Sequence, residues 1–155
     1  MAMELNIFSD RRLNSIAEWQ GAINAEGFPL QLAREADLST VSGFLSADLK
    51  NKRTGFECYQ DEAREMMESL GRSNFDRDWK FAFGLRWGPD FAALDSAWMA
   101  ATAYAAAADG VIFDYEEAKI FTPEQARKLV RRFEREQPML DALIKDTIKK
   151  IAGES

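Results

Sequence analysis

The amino-acid sequence predicts an α+β fold, a single domain over residues 1–155 with a largely antiparallel sheet and helices packed mainly on one face. Three observations lead there. Strict alternation from Trp79 to Trp87 puts Trp79, Phe81, Phe83, Leu85 and Trp87 on one side and Lys80, Ala82, Gly84 and Arg86 on the other, the period of a half-buried strand. Two pairs of short apolar runs flank polar turns, at Lys50–Gly55 and at Tyr115–Ala118, as antiparallel hairpins require. Between them, the alanine-rich stretch from Ala92 to Ala108 carries little side-chain bulk, so a helix there can lie close against a sheet.

Taken in order, Glu4 to Ser9 reads as a first strand through Leu5, Ile7 and Phe8, with Ser9-Asp10 as the start of a helix. Leu13, Ile16, Ala17, Gln20, Ile23 and Asn24 trace one side of that helix, and Gly27 and Pro29 end it. Leu30 to Ala33 predicts a brief strand, and Asp37 to Gly43 a loop or a short helical turn. Phe44–Leu49 and Phe56–Tyr59 form the arms of the first hairpin. Asp61 then opens a helix to Leu70, with Asp61 and Glu62 at its positive end, Ala63, Met66, Met67 and Leu70 as apolar contacts, and Gly71 as the stop.

Gly88-Pro89-Asp90 starts the alanine-rich helix, anchored by Leu94, Trp98, Met99 and Tyr104. Val111–Asp114 and Lys119–Phe121 form the second hairpin. Thr122 suits an N-cap, Pro123 the first helical position, and Gln125 completes a capping box for a helix running toward Glu136. Pro138 is expected to divide it from a final amphipathic helix, 138–155, whose stripe is Leu140, Leu143, Ile144, Thr147, Ile148 and Ile151. That stripe offers a docking face or a homodimer contact.

Composition narrows the chemistry. The chain has no histidine, which removes the usual near-neutral acid–base group and the Ser-His, Cys-His and His-metal constellations with it. Its one cysteine, Cys58, excludes an intramolecular disulfide and reads as a buried packing residue. A net charge of −6 opposes binding to nucleic acid or anionic membrane and favours a basic partner. No apolar run is long enough for a membrane span, and the opening residues lack a secretory signal, so the expected address is cytoplasmic.

Four clusters carry the remaining polar and aromatic chemistry. Asp114, Glu116 and Glu117 crowd three carboxylates into the second hairpin turn, without the alternating oxygens and central glycine of a calcium loop. Asp61 and Glu62 are explained by the helix dipole. Trp79, Trp87, Trp98 and Tyr104 supply rings for a ligand pocket or for the core. Arg72, Arg77, Lys80 and Arg86 gather near one strand, without a glycine-rich phosphate loop. No catalytic, cofactor-binding or metal-ligating set is assigned, and the candidate partner-binding residues are Asp114, Glu116, Glu117, Lys80 and Arg86.

The alanine-rich run Ala105–Ala108, the hairpin from Asp109-Gly110-Val111 to Asp114 and the cap Thr122-Pro123-Glu124 resemble the C-terminal pattern of small bacterial α+β proteins of the immunity type from polymorphic toxin systems. The resemblance covers about the last third of the chain and implies a non-catalytic protein that neutralises a basic toxin domain. The residues alone leave a second expectation open: a carboxylate-dependent enzyme or small-ligand binder using Asp114, Glu116 and Glu117.

Overall fold

In a computed structural model, seven strands join the two halves of the chain in one sheet; it describes residues 3–151, the side chains of 137–145, 147 and 148 excepted. The strands are β1 (Met3–Ser9), β2 (Leu30–Leu32), β3 (Gly43–Leu49), β4 (Lys52–Asp61), β5 (Phe81–Trp87), β6 (Val111–Asp114) and β7 (Lys119–Phe121). Every pairing is antiparallel, and the order across the sheet is β2-β3-β4-β5-β1-β6-β7. The helices are α1 (Ile16–Ala25), α2 (Ala63–Leu70), α3 (Phe91–Ala107) and α4 (Pro123–Ile151), with a 3-10 turn at Arg72–Asn74. This is the α+β architecture the sequence predicts.

Alternation sorts side chains between the two faces. Ile7, Leu45, Phe56, Phe83 and Leu85 point to a core closed by α1, α3 and α4, where Trp19 is fully buried. Trp19 anchors that layer: its Nε1 donates to the Ala100 carbonyl at 2.9 Å, and its ring meets Phe83 and Tyr104 edge-on at 5.6 Å. On the opposite face, Phe8, Ala82 and Phe113 meet Ala63 and Met67 of α2 and Phe75 and Trp79 of the following segment. The smaller cluster covers only part of that face. Over β3, β4 and the end of β5 at Arg86 the face stays open, and Phe44 stands 66% exposed upon it.

Local chemistry explains the boundaries. Lys50 and Asn51 both take positive φ, 51° and 69°, making the β3–β4 connection a tight two-residue turn whose twist matches the strands. Gly55, expected in that turn, lies inside β4, where a Cβ would stand 2.4 Å from the Phe44 ring. At α4, the Thr122 amide donates to Gln125 Oε1 at 3.0 Å and the Gln125 amide to Thr122 Oγ1 at 3.2 Å, closing the capping box.

Several expectations are corrected. α1 begins at Ile16 under a Ser15 cap, because Asp10 is held by Arg77, an ion-pair partner 67 positions away, and is not free to cap. Its buried side is Ile16, Trp19 and Ile23, while Ala17 is exposed. Asp61 ends β4 and does not open α2, since Asn6 across the sheet bonds its carboxylate. Trp79 precedes β5 and packs on the face opposite Phe83 and Leu85, so the alternation overran the strand by two residues. Pro138 does not divide the last helix: α4 runs unbroken to Ile151. The stripe residues Leu140, Leu143, Ile144, Thr147 and Ile148 lie outside the described side chains, and Ile151 is 82% exposed.

Candidate functional site

At the end of the sheet where β1 begins and β5 and β6 finish, a groove of about 540 Å3 opens between the strand ends and the helices α3 and α4. Apolar side chains make its floor and walls: Trp87 from β5, Leu94 and Trp98 from α3, Phe121 from β7, and Leu129 and Phe133 from α4. The Trp98 and Phe121 rings pack edge-on at 5.3 Å, and the Trp87 indole N–H is satisfied by Met3 Sδ at 3.0 Å. The rim is acidic. Glu4, Asp114, Glu116 and Glu117 line it, with Arg132 the one cation among the lining residues.

The acidic turn has a structural backbone. Asp114 Oδ1 accepts from the Glu116 amide at 3.2 Å, folding the turn over itself. Burial pushes the Asp114 carboxyl up, bonds from the Glu116 and Glu117 amides pull it down, and the two neighbouring carboxylates push it up again. Among the described residues no three Asp, Glu or Cys side chains converge closely enough to hold a metal ion. What the groove offers is an apolar slot beneath negative charge, an environment complementary to a cation on an apolar stem.

Tyr115 joins this groove to the open face of the sheet. Its hydroxyl donates to Asn6 Oδ1 at 2.6 Å, and Asn6 Nδ2 donates to Asp61 Oδ2 at 2.9 Å. Burial, with the Glu4 and Asp61 carboxylates nearby, pushes the Tyr115 phenol up, so it stays a neutral donor. Asn6 is almost wholly buried, and this pairing satisfies both ends of its amide. Gly84 makes room: a Cβ there would lie 2.6 Å from Asp61 Oδ2 and 3.3 Å from Asn6 Nδ2. The close approach expected beside Ala82 and Gly84 is therefore made by Asp61 and Asn6 of the protein itself.

The sequence-predicted site residues do not form one cluster. Asp114, Glu116 and Glu117 share the groove. Arg86 lies on the open face, where sheet register sets it between Glu57 and Glu4, and its Nε donates to Glu4 Oε2 at 2.6 Å. Lys80 sits beyond the start of β5, at the other end of the sheet from the groove. The expected basic cluster is dispersed into ion pairs, Arg72 with Asp78, Arg77 with Asp10 and Arg86 with Glu4. Of the four rings, Trp87 and Trp98 share the groove; Tyr104 is a core residue accepting from the Leu13 amide at 3.3 Å, and Trp79 lies across the sheet.

Cys58 is fully buried, and desolvation pushes its thiol up to about 12, the behaviour of a packing residue. Sequence reasoning missed Asp95. It is the lone charged residue within α3, it is fully buried, and neither carboxyl oxygen has a hydrogen-bond partner among the described residues. One charge in seventeen otherwise uncharged helical positions was the signal available.

No protein-family model, curated protein or solved structure matches this chain. No described helix is long and apolar enough to cross a membrane.

Proposed function

We propose that this protein acts by binding a basic protein partner and not by catalysis, with a lysine or arginine side chain of the partner entering the groove beneath Asp114, Glu116 and Glu117. The observation that carries the reading is the combination in one groove of an apolar, aromatic-walled slot with the three carboxylates of one turn, Asp114, Glu116 and Glu117, on its rim, the fourth lining carboxylate, Glu4, being paired with Arg86. Leu94, Leu129 and Phe133, half-buried over the buried rings of Trp87 and Trp98, supply contact for an aliphatic stem, and the rim supplies charge that speeds encounter and penalises acidic competitors. The net charge of −6 acts in the same direction at longer range. The most concrete version is an immunity protein that occupies the nucleic-acid groove of a basic toxin domain, the role implied by the resemblance of residues 105–126.

The test is purification of the tagged chain from its native host, identification of any stoichiometric partner, and repetition with Glu116→Lys and Glu117→Lys together. A basic partner lost on charge reversal supports the reading. Recovery of no basic partner, or of one indifferent to the substitutions, overturns it.

The groove volume supports a second reading, because about 540 Å3 lies within the range of small-molecule sites. A thermal-shift panel of divalent cations and small amines addresses it, since selective binding to the folded state raises apparent stability. Uniformly flat responses would dismiss a small-ligand or carboxylate-dependent enzyme role.

A further inference from the structure

We propose that Asp95 is a proton-operated latch on α4: with its carboxyl protonated α4 lies closed on α3, and ionisation loosens α4 beyond Val130, and with it part of one wall of the groove. The consequence for binding rests on the reading of the groove given above; the latch itself does not.

The geometry supplies the parts. Asp95 is fully buried, with both oxygens unpartnered among the described residues, and the hydroxyl of Ser96 beside it is unpartnered too. A buried carboxylate without a donor is costly, whereas a protonated carboxyl is cheaper to bury. Two charged side chains act on it through space: Glu134 from α4, which disfavours its charge, and Lys50 from the β3–β4 turn, which favours it. Those two pair with each other, Lys50 Nζ to Glu134 Oε1 at 3.5 Å, a half-exposed contact that ties α4 to the turn. Ionised Asp95 would compete with Glu134 for that one ammonium and repel Glu134 itself.

The seam is shared with the groove. Leu94, adjacent to Asp95, and Phe133, adjacent to Glu134, both line it, and the Phe91 and Phe133 rings bridge α3 and α4 at 6.0 Å. Nearer its start α4 is held independently, by Ala126 and Val130 in the core and by Arg127, which grips Glu26 with bonds of 2.6 and 2.8 Å. Loosening is thereby confined to the part of the helix beyond Val130, which carries Arg132 and Phe133 of the groove wall.

The sign follows from linkage. Burial first, then Glu134, raises the Asp95 carboxyl from 3.8 to about 7, with Lys50 opposing. The closed state therefore holds a proton that the open state releases. Closure is strongest below the open-state value, weakens by up to about tenfold per pH unit between roughly 4 and 7, and levels off above the closed-state value. With no histidine in the chain, few side chains titrate in the upper part of that interval.

Hydrogen exchange of the full-length protein between pH 5 and 8, corrected for the intrinsic pH dependence of exchange, tests the latch. In the unmodified protein, protection of peptides covering residues 131–136 is expected to fall at least tenfold from pH 5 to 7 and then flatten, while strand peptides stay unchanged. Asp95→Asn should hold protection constant over the same range, and Glu134→Gln should move the fall to lower pH. Equal pH dependence in the unmodified protein and Asp95→Asn, or a loss spread evenly over the sheet, overturns the proposal. The measurement needs no partner, so failure of the latch and failure of the binding reading are separable.

Discussion

Asp61 lies directly over Gly84: its Oδ2 occupies space where a β-carbon at residue 84 would stand, 2.6 Å away, and from there it accepts the 2.9 Å hydrogen bond of Asn6. Gly84→Ala is expected to displace Asp61, leave the buried Asn6 amide without its acceptor and destabilise the protein by about 1–2 kcal/mol in urea unfolding. In an Asp61→Ala background the same substitution should cost much less, the remainder reflecting the 3.3 Å approach to Asn6 Nδ2. Gly88→Ala, where a Cβ meets nothing within 4 Å, is the control. Equal costs with and without Asp61 would sink the account.

Tyr115→Phe removes the donor to Asn6 Oδ1 and keeps the ring. A loss of about 1–2 kcal/mol is expected, because a buried acceptor is left unpaired. Thermal and urea unfolding should agree on the sign. A variant as stable as the parent would mean that Asn6 finds another donor.

Cys58 should be inert in the folded protein. Raising its thiol from 9.0 to about 12 lowers the thiolate fraction at pH 8 by about 10^3, before any steric protection. Labelling by a disulfide reagent is therefore expected only through unfolding, at a rate that follows denaturant concentration. Rapid labelling without denaturant would contradict the burial.

Ala118 closes the acidic turn at φ 50°, a conformation that costs a residue with a β-carbon. Ala118→Gly should relieve that cost and stabilise the protein by about 1 kcal/mol. An unchanged midpoint in urea would show the turn relaxing by another route.

Features set by near neighbours in the chain were legible before the structure. Thr122 and Gln125 cap each other within four residues, and the arms Val111–Asp114 and Lys119–Phe121 lie on either side of one short turn, so their pattern carries its own explanation. Features set by distant partners were not. Asp10 and Asp61 both look like helix-starting acids until Arg77 and Asn6 claim them from 67 and 55 positions away. The groove was half visible, in that its acidic turn and the rings Trp87 and Trp98 were each singled out. Their meeting depends on α4 crossing beside α3, which periodicity does not encode. The burial of Asp95 is set by the elements packed around α3, and its isolation among uncharged residues is the only mark it leaves in the sequence.

The sheet ends on two strands, β2 and β7, of only three residues each. So short an edge presents few free main-chain groups to a passing strand, a common defence against runaway sheet growth. Recognition by annealing of backbone to backbone is correspondingly disfavoured. Any recognition at these two edges would therefore have to run through side chains rather than main-chain pairing.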